Sequence, residues 1–315
     1  MPEVGVIIVA RNRAHILGTA IKSALDQTFK DIEIVVVDDG STDETFDVAR
    51  SFNGVRAYRI GPNGIAWARN YAAQKTKCEW LAFLDSDDRW LPEKLEVQLG
   101  ALKKSGLAFS STDAFLVNEA GKRVAKLSER NKPFSGHVFF KLVKSNFICS
   151  PCVMIHKNVF WQKGGFDPRM VSAEDYHLWL RVAYTHPLLY ISLPLVEYCD
   201  HSQRRMQRRQ VEVTDWTIRA IEDVIYSFEL DPQRFEFRRR LGELNYYAAI
   251  WHLAKSQFYL ARRHLLKAFI NSPIKAKKLK SFAIWLASLF SDDPARSALS
   301  YLKKNVNVYW PWAGE

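Results

Sequence analysis

The chain has 315 residues, 48% hydrophobic and 25% charged, the balance of a folded protein with one or two domains. No stretch reaches the roughly 18 apolar residues that span a bilayer, and four cysteines (Cys78, Cys149, Cys152, Cys199) are no disulfide framework. Of the net charge of +11, +9 lies from His201 onward, where 20 Lys and Arg face 11 Asp and Glu, so the basic third suits anionic lipid, nucleic acid or an acidic polymer. Cys149 and Cys152 form a lone C-x-x-C around Ser-Pro and read as buried thiols, not a zinc pair. The N-terminus has no basic start followed by a long apolar segment, so no signal peptide and a cytosolic location are expected.

Val4–Ala10 is an apolar run that reads as a buried strand. Arg11-Asn12-Arg13 follows, then a helical pattern of Ile16, Leu17, Ala20, Ile21, Ala24 and Leu25. Ile32–Val37 is a second strand, closing in Asp38-Asp39-Gly40-Ser41-Thr42-Asp43. Ser41 and Glu44 have the spacing of a capping box for the next helix. Val55–Ile60 is a third strand, Gly61–Gly64 a turn and Ile65–Gln74 a helix. Trp80–Leu84 is a fourth strand, which stops in Asp85-Ser86-Asp87-Asp88. Strands alternating with helices predict a mostly parallel α/β sheet with flanking helices and right-handed crossovers.

In such sheets ligands sit beyond the carboxyl ends of the strands, where Arg11, Asp38, Asp39, Asp85 and Asp87 fall. The turn after the first strand holds no G-x-G-x-x-G and no Walker-type lysine loop, so phosphate binding must come from side chains or a metal. Carboxylates one residue apart can aim at a single hard divalent ion bridging to a diphosphate. The competing reading is a polar loop in which Asp87 or Asp88 N-caps a helix beginning near Pro92.

Beyond about residue 205 the pattern is helical: Val211–Leu230, Gln233–Ser256 and Phe258–Asn271. Ala261, Leu265, Ala268 and Pro273 have the spacing of the second helix of a tetratricopeptide-like hairpin. Lys275, Lys277, Lys278 and Lys280 then precede Phe282, Ile284, Trp285, Leu286, Leu289 and Phe290. That pattern suits either an anionic membrane surface or packing on the preceding hairpin.

Val6–Arg13, Val35–Asp43, Gly64–Asn70 and Phe83–Asp88, with Gly164-Gly165-Phe166-Asp167 and Glu174–Arg181 further on, together resemble the inverting glycosyltransferases of family 2, over about residues 3 to 202. The resemblance implies a GT-A domain over residues 1–205; the helical C-terminal region, 206–315, lies outside it. It implies transfer of a single sugar from a nucleotide-diphosphate sugar, a UDP-sugar, to a hydroxyl acceptor in cell-surface polysaccharide or glycolipid synthesis, with Mg²⁺ or Mn²⁺. Ala10, Arg11, Arg13 and Ser86 would line the nucleotide-sugar, and Asp38 or Asp39 would bond the uracil. Arg69 would lie near the nucleotide or its phosphates, with a surface ion pair as the alternative. Asp85 would lie near the ribose and Asp87 would ligate the metal. His201 is a candidate metal ligand and Arg204 a candidate for the diphosphate.

An acceptor hydroxyl needs a general base, and the resemblance points to Asp175, with Glu174 beside it in the donor site. Asp175 begins an amphipathic helix, whose N-terminus is expected to favour the ionised carboxylate. No Q-x-x-R-W occurs in residues 203–210, so one transfer per encounter is expected rather than processive synthesis. Lipid-linked acceptors are common in the family and would place the protein at the inner face of the membrane. Two other readings are a catalytically inactive scaffold and a basic nucleic-acid-binding protein. The intact Asp85, Asp87 and Asp175 speak against the first. The missing recognition motif and the strand-end acids speak against the second.

Overall fold

The computed structural model describes residues 1–118, 120–199, 202–273, 281–282 and 284–285, and only the backbone of 202–212. The chain divides into two compact units. One holds Met1–Phe139 and Asn146–His201; the other holds Phe140–Ser145 and the chain from Ser202 on.

In the first unit the elements run β1 (Val4–Ala10), α1 (Ala14–Leu25), β2 (Ile32–Asp39), α2 (Thr45–Arg50), β3 (Val55–Ile60), α3 (Ile65–Lys75) and β4 (Trp80–Asp85). They continue through β5 (Arg89–Trp90), α4 (Lys94–Ser105), β6 (Phe109–Val117), β7 (Arg123–Lys126) and α5 (Leu127–Arg130). After α6 (Phe139–Lys144), almost all of which belongs to the other unit, come β8 (Val153–His156), α7 (Lys157–Gln162), α8 (Glu174–Ala183) and β9 (Leu189–Cys199). The sheet order is β3-β2-β1-β4-β8-β6-β9-β5, with β7 paired to β6. The first four strands are parallel; β8 is antiparallel to both β4 and β6, and β9 runs parallel to β6, so the sheet is mixed.

The parallel part forms because its strands are apolar on both faces: Val4, Val6, Ile7 and Ile8 of β1, and Val35, Val36 and Val37 of β2, are buried. Helix α1 covers one face with Leu17, Ala20, Ile21 and Ala24, spaced i, i+3, i+4, i+7. Leu17 and Ile21 each contribute about 1.5–3 kcal/mol on burial, and the alanine methyls roughly 0.8 kcal/mol each. The register then aligns the strand ends. Ala10 pairs with Asp38, Val9 with Asp85, and Asp38 with Arg59, so two acids and a base stand level at one edge of the sheet.

The helix after β4 starts at Lys94 with Glu93 as its N-cap residue, so neither Asp87 nor Asp88 caps it. Asp88 is instead buried and accepts a hydrogen bond from the Cys199 amide at 2.7 Å, fastening the end of β9. All four cysteines are free, and burial pushes the Cys152 thiol up to about 12.

The second unit contains α9 (Ser202–Ser227), α10 (Phe235–Ala254) and α11 (Phe258–Asn271). α10 and α11 form a hairpin in which Ala248, Leu253, Ala261, Leu265 and Ala268 are buried; the small residues let the helices approach closely. Ile284 packs on Leu253 and Ala261, and the Phe282 ring lies 5.4 Å from Phe269. The rest of that basic and apolar segment, Lys275, Lys277, Lys278, Lys280, Leu286, Leu289 and Phe290, lies outside the described residues. Among the described residues no helix is long and apolar enough to cross a membrane.

Candidate active site

The loops after β1 and β2 are stitched together, which fixes Ala10, Arg11 and Arg13 against the acids of β2. The Ser41 hydroxyl accepts from the Asn12 amide at 2.9 Å, and Asn12 Oδ1 accepts from the Thr42 amide at 2.9 Å. Thr45 Oγ1 accepts from the Arg13 amide at 2.8 Å, and Asp43 accepts from the Ala14 amide at 3.2 Å. This overturns the expected capping box of Ser41 and Glu44. Helix α2 begins only at Thr45, without a side-chain cap, because Ser41 is engaged by Asn12 and Asp38, and Asp43 takes the Thr45 amide. Ala10 is buried, Arg13 half-buried and Arg11 exposed.

Asp38 and Asp39 are both buried, and both are engaged within the protein. Asp38 accepts from the Ser41 amide at 3.0 Å and from its hydroxyl, and Arg59 Nε stands 3.4 Å from Asp38 Oδ2. Asp39 accepts from the Asn63 amide at 2.8 Å and from Gly64 at 3.0 Å, which holds the turn before α3. Between them Gly40 has φ +71°, and a Cβ there would meet the Pro62 nitrogen at 2.8 Å, so only glycine fits.

Arg69, on α3, reaches the end of β4. Its Nη2 donates to Asp85 Oδ1 at 2.6 Å and its Nη1 to Glu174 Oε1 at 2.8 Å. The guanidinium lies 5.2 Å over the Phe166 ring. The alternative of a surface ion pair is therefore wrong: Arg69 is 4% exposed. Burial opposes its charge, and the carboxylates of Asp85, Glu174 and Asp175 more than compensate, holding it protonated.

Helix α8 brings Glu174 and Asp175 to this point. It starts behind Ala173, which has a left-handed backbone at φ 57°. Its far side is anchored by Trp179, fully buried against Phe109 (5.6 Å, stacked), Phe166 and Phe83 of β4. Gly164-Gly165-Phe166 locks the same helix from the side. Asn70 exchanges hydrogen bonds with the Phe166 backbone at 2.6 and 2.9 Å, and Arg181 donates to Gly165 O at 2.7 Å. A Cβ on Gly165 would meet Asn70 Oδ1 at 2.7 Å.

Burial, then the neighbouring Asp175 charge, pushes the Glu174 carboxyl up to about 7 against the pull of Arg69. Asp175 accepts from the Tyr176 amide at 2.6 Å and from Ser150 Oγ at 3.1 Å. The helix N-terminus was expected to favour its ionised form. Burial outweighs Arg69 and these hydrogen bonds, and the Asp175 carboxyl titrates above its ordinary range.

The structure thus brings Arg69, Asp85, Glu174 and Asp175 together, and the β register sets Ala10 and Asp38 beside the end of β4. Ser86 is buried and Asp87 half-buried, next along from Asp85. The carboxylates of Asp85 and Asp87 offer oxygen donors alone, which suits Mg²⁺ or Mn²⁺. His201 and the Arg204 side chain lie outside the described residues. Sequence reasoning missed Arg59, Asn12 and Ser150. None of them carries a local signal, since each matters only through a partner from 18 to 30 positions away.

The profile of Glycosyl transferase family 2 matches residues 5–164. An uncharacterised glycosyltransferase of Rickettsia conorii is 34% identical over 184 residues, 58% of this chain and 30% of that protein, so the chain matches under a third of that relative's length. UDP-Glc:alpha-D-GlcNAc-diphosphoundecaprenol beta-1,3-glucosyltransferase WfaP of Escherichia coli is 32% identical over 185 residues, 58% of this chain and 70% of that one. Among solved structures, S. aureus TarS 1-349 superposes with a TM-score of 0.64 at 16% identity, covering 97% of this chain and 93% of that one. The mannosyltransferase PcManGT of Pyrobaculum calidifontis, solved with GDP-Man and Mn²⁺, superposes with a TM-score of 0.59 at 17% identity, covering 98% and 82%. At those identities the likeness is one of fold, the GT-A architecture. With its family profile matched over half its length, the chain belongs to glycosyltransferase family 2.

Proposed function

We propose that the chain transfers one sugar from a UDP-sugar to a hydroxyl acceptor with inversion at the anomeric carbon. The observation that carries this is the clamp of Arg69 on Asp85 and Glu174, which sets the donor-side end of β4 against the N-terminus of α8. Asp175 is the general base. It takes the proton of the attacking hydroxyl as the new carbon–oxygen bond forms, and the old bond to the diphosphate breaks with its electron pair leaving on UDP. A base held above the ordinary carboxylate range draws that proton more effectively near neutral pH than a solvated aspartate. Ser150 and the Tyr176 amide orient it. Glu174 and Arg69 are positioning residues, because their contacts are with each other and with Asp85.

Ala10, Arg11, Arg13, Asp38, Asp39 and Ser86 surround the nucleotide half of the donor in this reading, with Asp38 and Asp39 shaping the wall for the base. Asp87 would hold a divalent cation, with His201 as the further candidate ligand and Arg204 as a candidate contact to the diphosphate, and such an ion would stabilise the departing diphosphate as a Lewis acid. The acceptor in the name of WfaP is a diphosphoundecaprenol-linked sugar, which supports a lipid-linked acceptor here and work at the cytoplasmic face of a membrane.

A panel of UDP-sugars assayed for UDP release, with Mn²⁺ and with EDTA, tests the reading. Metal-dependent release from one or two of the donors is expected. No binding of UDP, and no release from any of them by the folded protein, would overturn it.

A further inference from the structure

The second unit carries a cluster that the transfer reaction does not use. Helices α9, α10 and α11 each supply one residue, Asp215, His252 and His264, whose ligand atoms all lie within 4.8 Å of one another. His252 Nε2 is 3.2 Å from Asp215 Oδ2, and His264 Nε2 is 3.4 Å from Asp215 Oδ1. Neighbouring ligands on a tetrahedral zinc with arms of 2.0–2.1 Å stand roughly 3.3 Å apart.

The partners behind the rings fix which nitrogen faces the cluster. His252 Nδ1 is 2.7 Å from Gln257 Oε1, and His264 Nδ1 is 2.9 Å from Asn245 Oδ1. Asn245 donates its own amide hydrogen to Leu241 O at 2.8 Å, which turns its oxygen toward His264. An amide oxygen only accepts, so Nδ1 carries the hydrogen in both rings and a neutral ring presents a bare Nε2. Two such lone pairs and a carboxylate therefore converge, and the buried Asp215 Oδ1 has no hydrogen-bond partner. Three acceptors facing one another favour a positive charge between them. A proton on one ring serves one contact; a divalent ion serves all three. Histidines that donate Nδ1–H to an oxygen while offering Nε2 are the usual arrangement around a bound metal.

We propose that Asp215, His252 and His264 form a zinc-type divalent-cation site that staples α9, α10 and α11 together. The two rings are now stacked at 5.1 Å and 13°, so His264 must tilt to bring its nitrogen in line with the ion. It has room to do so, since it lines a cavity of about 450 Å³ with Asp215. The fourth position opens to that cavity and takes water or an anion. Arg219, Arg263 and Lys267 line the same cavity and oppose a bare cation, but they favour an anionic fourth ligand, and Glu222 pairs with Lys267 at 3.1 Å.

The test uses the full chain, stripped with EDTA and given zinc chloride. Zinc retained after gel filtration and the shift in melting temperature are measured for wild type, Asp87→Ala, His252→Gln and His264→Gln. The Asp87→Ala protein removes the other candidate metal position, so its result separates this site from the transferase site. One zinc per chain and a raised melting temperature are expected in wild type and Asp87→Ala, and loss of both in His264→Gln. Cobalt(II) added to wild type should give the strong visible absorption of a tetrahedral site, bleached by zinc, which keeps the proposal testable if a histidine variant misfolds. No retained zinc and no cobalt band in wild type, or full zinc retention in both histidine variants, would overturn it.

Discussion

Replacing Arg69 by Met tests the clamp on which the site is built. The substitution keeps an unbranched stem of similar length and removes the guanidinium that lies over Phe166 and joins Asp85 to Glu174. Removing one partner of a buried ion pair costs about 3–5 kcal/mol, because the other is left uncompensated. The pH dependence follows from Glu174. Its carboxyl titrates at about 7 in the folded protein against an ordinary 4.5, so the folded chain holds that proton more tightly than the unfolded chain. Stability from this group is therefore highest below the ordinary value. It falls as pH rises through the interval between the two, by roughly 3 kcal/mol at 1.36 kcal/mol per pH unit, and is flat above it. Without Arg69 the folded value climbs further and the window widens. At pH 8 Arg69→Met is expected to lose about 3–5 kcal/mol, a fall in melting temperature of roughly 6–20 °C for a unit of this size. At pH 5.5, with Glu174 protonated in both proteins, the loss shrinks to about 1–2 kcal/mol, what remains of the charged hydrogen bond to the partly exposed Asp85. Thermal melts of both proteins at the two pH values read this directly. A loss under about 1 kcal/mol at pH 8, or one of equal size at both, would refute the reasoning.

Asp87→Ala is expected to abolish the metal-dependent part of UDP binding with little change in melting temperature, since a half-buried strand-end carboxylate adds nothing to the core; titration of UDP with and without Mn²⁺ decides it, and unchanged metal dependence removes Asp87 as a ligand. Trp179→Ala should cost about 3–5 kcal/mol in urea unfolding, as for other large aromatic truncations, because the ring is fully buried among Phe83, Phe109 and Phe166. A cost under about 1 kcal/mol would mean that this cluster does not anchor α8. Truncation after Ser272 should destabilise the helical unit by about 1–2 kcal/mol through loss of half-buried Ile284 from Leu253 and Ala261. Unchanged stability together with loss of salt-sensitive binding to anionic vesicles would instead make the segment a membrane contact.

The parallel half of the sheet was legible because its signals are local. Val4–Ala10 is apolar between a polar start and Arg11, and the strand has those bounds in the structure. Trp80–Leu84 ran one residue further, to Asp85, because parallel pairing with β1 reaches Val9. Beyond β4 the strands went unassigned. β8 is four residues long, β5 is two, and β9 mixes exposed and half-buried positions, so none has a periodicity of its own; antiparallel and parallel pairing across distant positions makes them strands. The same limit applied to the site. Asp85 and Asp175 were visible as acids at the end of a strand and the start of a helix. That Arg69 would join Asp85 to Glu174, across 16 and 105 positions, was not. The direction of the Asp175 shift was misjudged for a related reason: a helix terminus is local, whereas the burial that outweighs it is a property of the assembled fold. Asp215, His252 and His264 escaped notice because three helices must take one rotation each before their side chains meet.

The proposed transfer depends most directly on Asp175 as the base. Asp175→Asn keeps the shape of the side chain and its place beside Ser150 but cannot take a proton. Transfer measured with the active UDP-sugar under saturating donor should fall by roughly 10²-fold or more, the range a general base supplies, with donor affinity and melting temperature unchanged. Turnover near that of wild type, with the donor bound equally well, would contradict it.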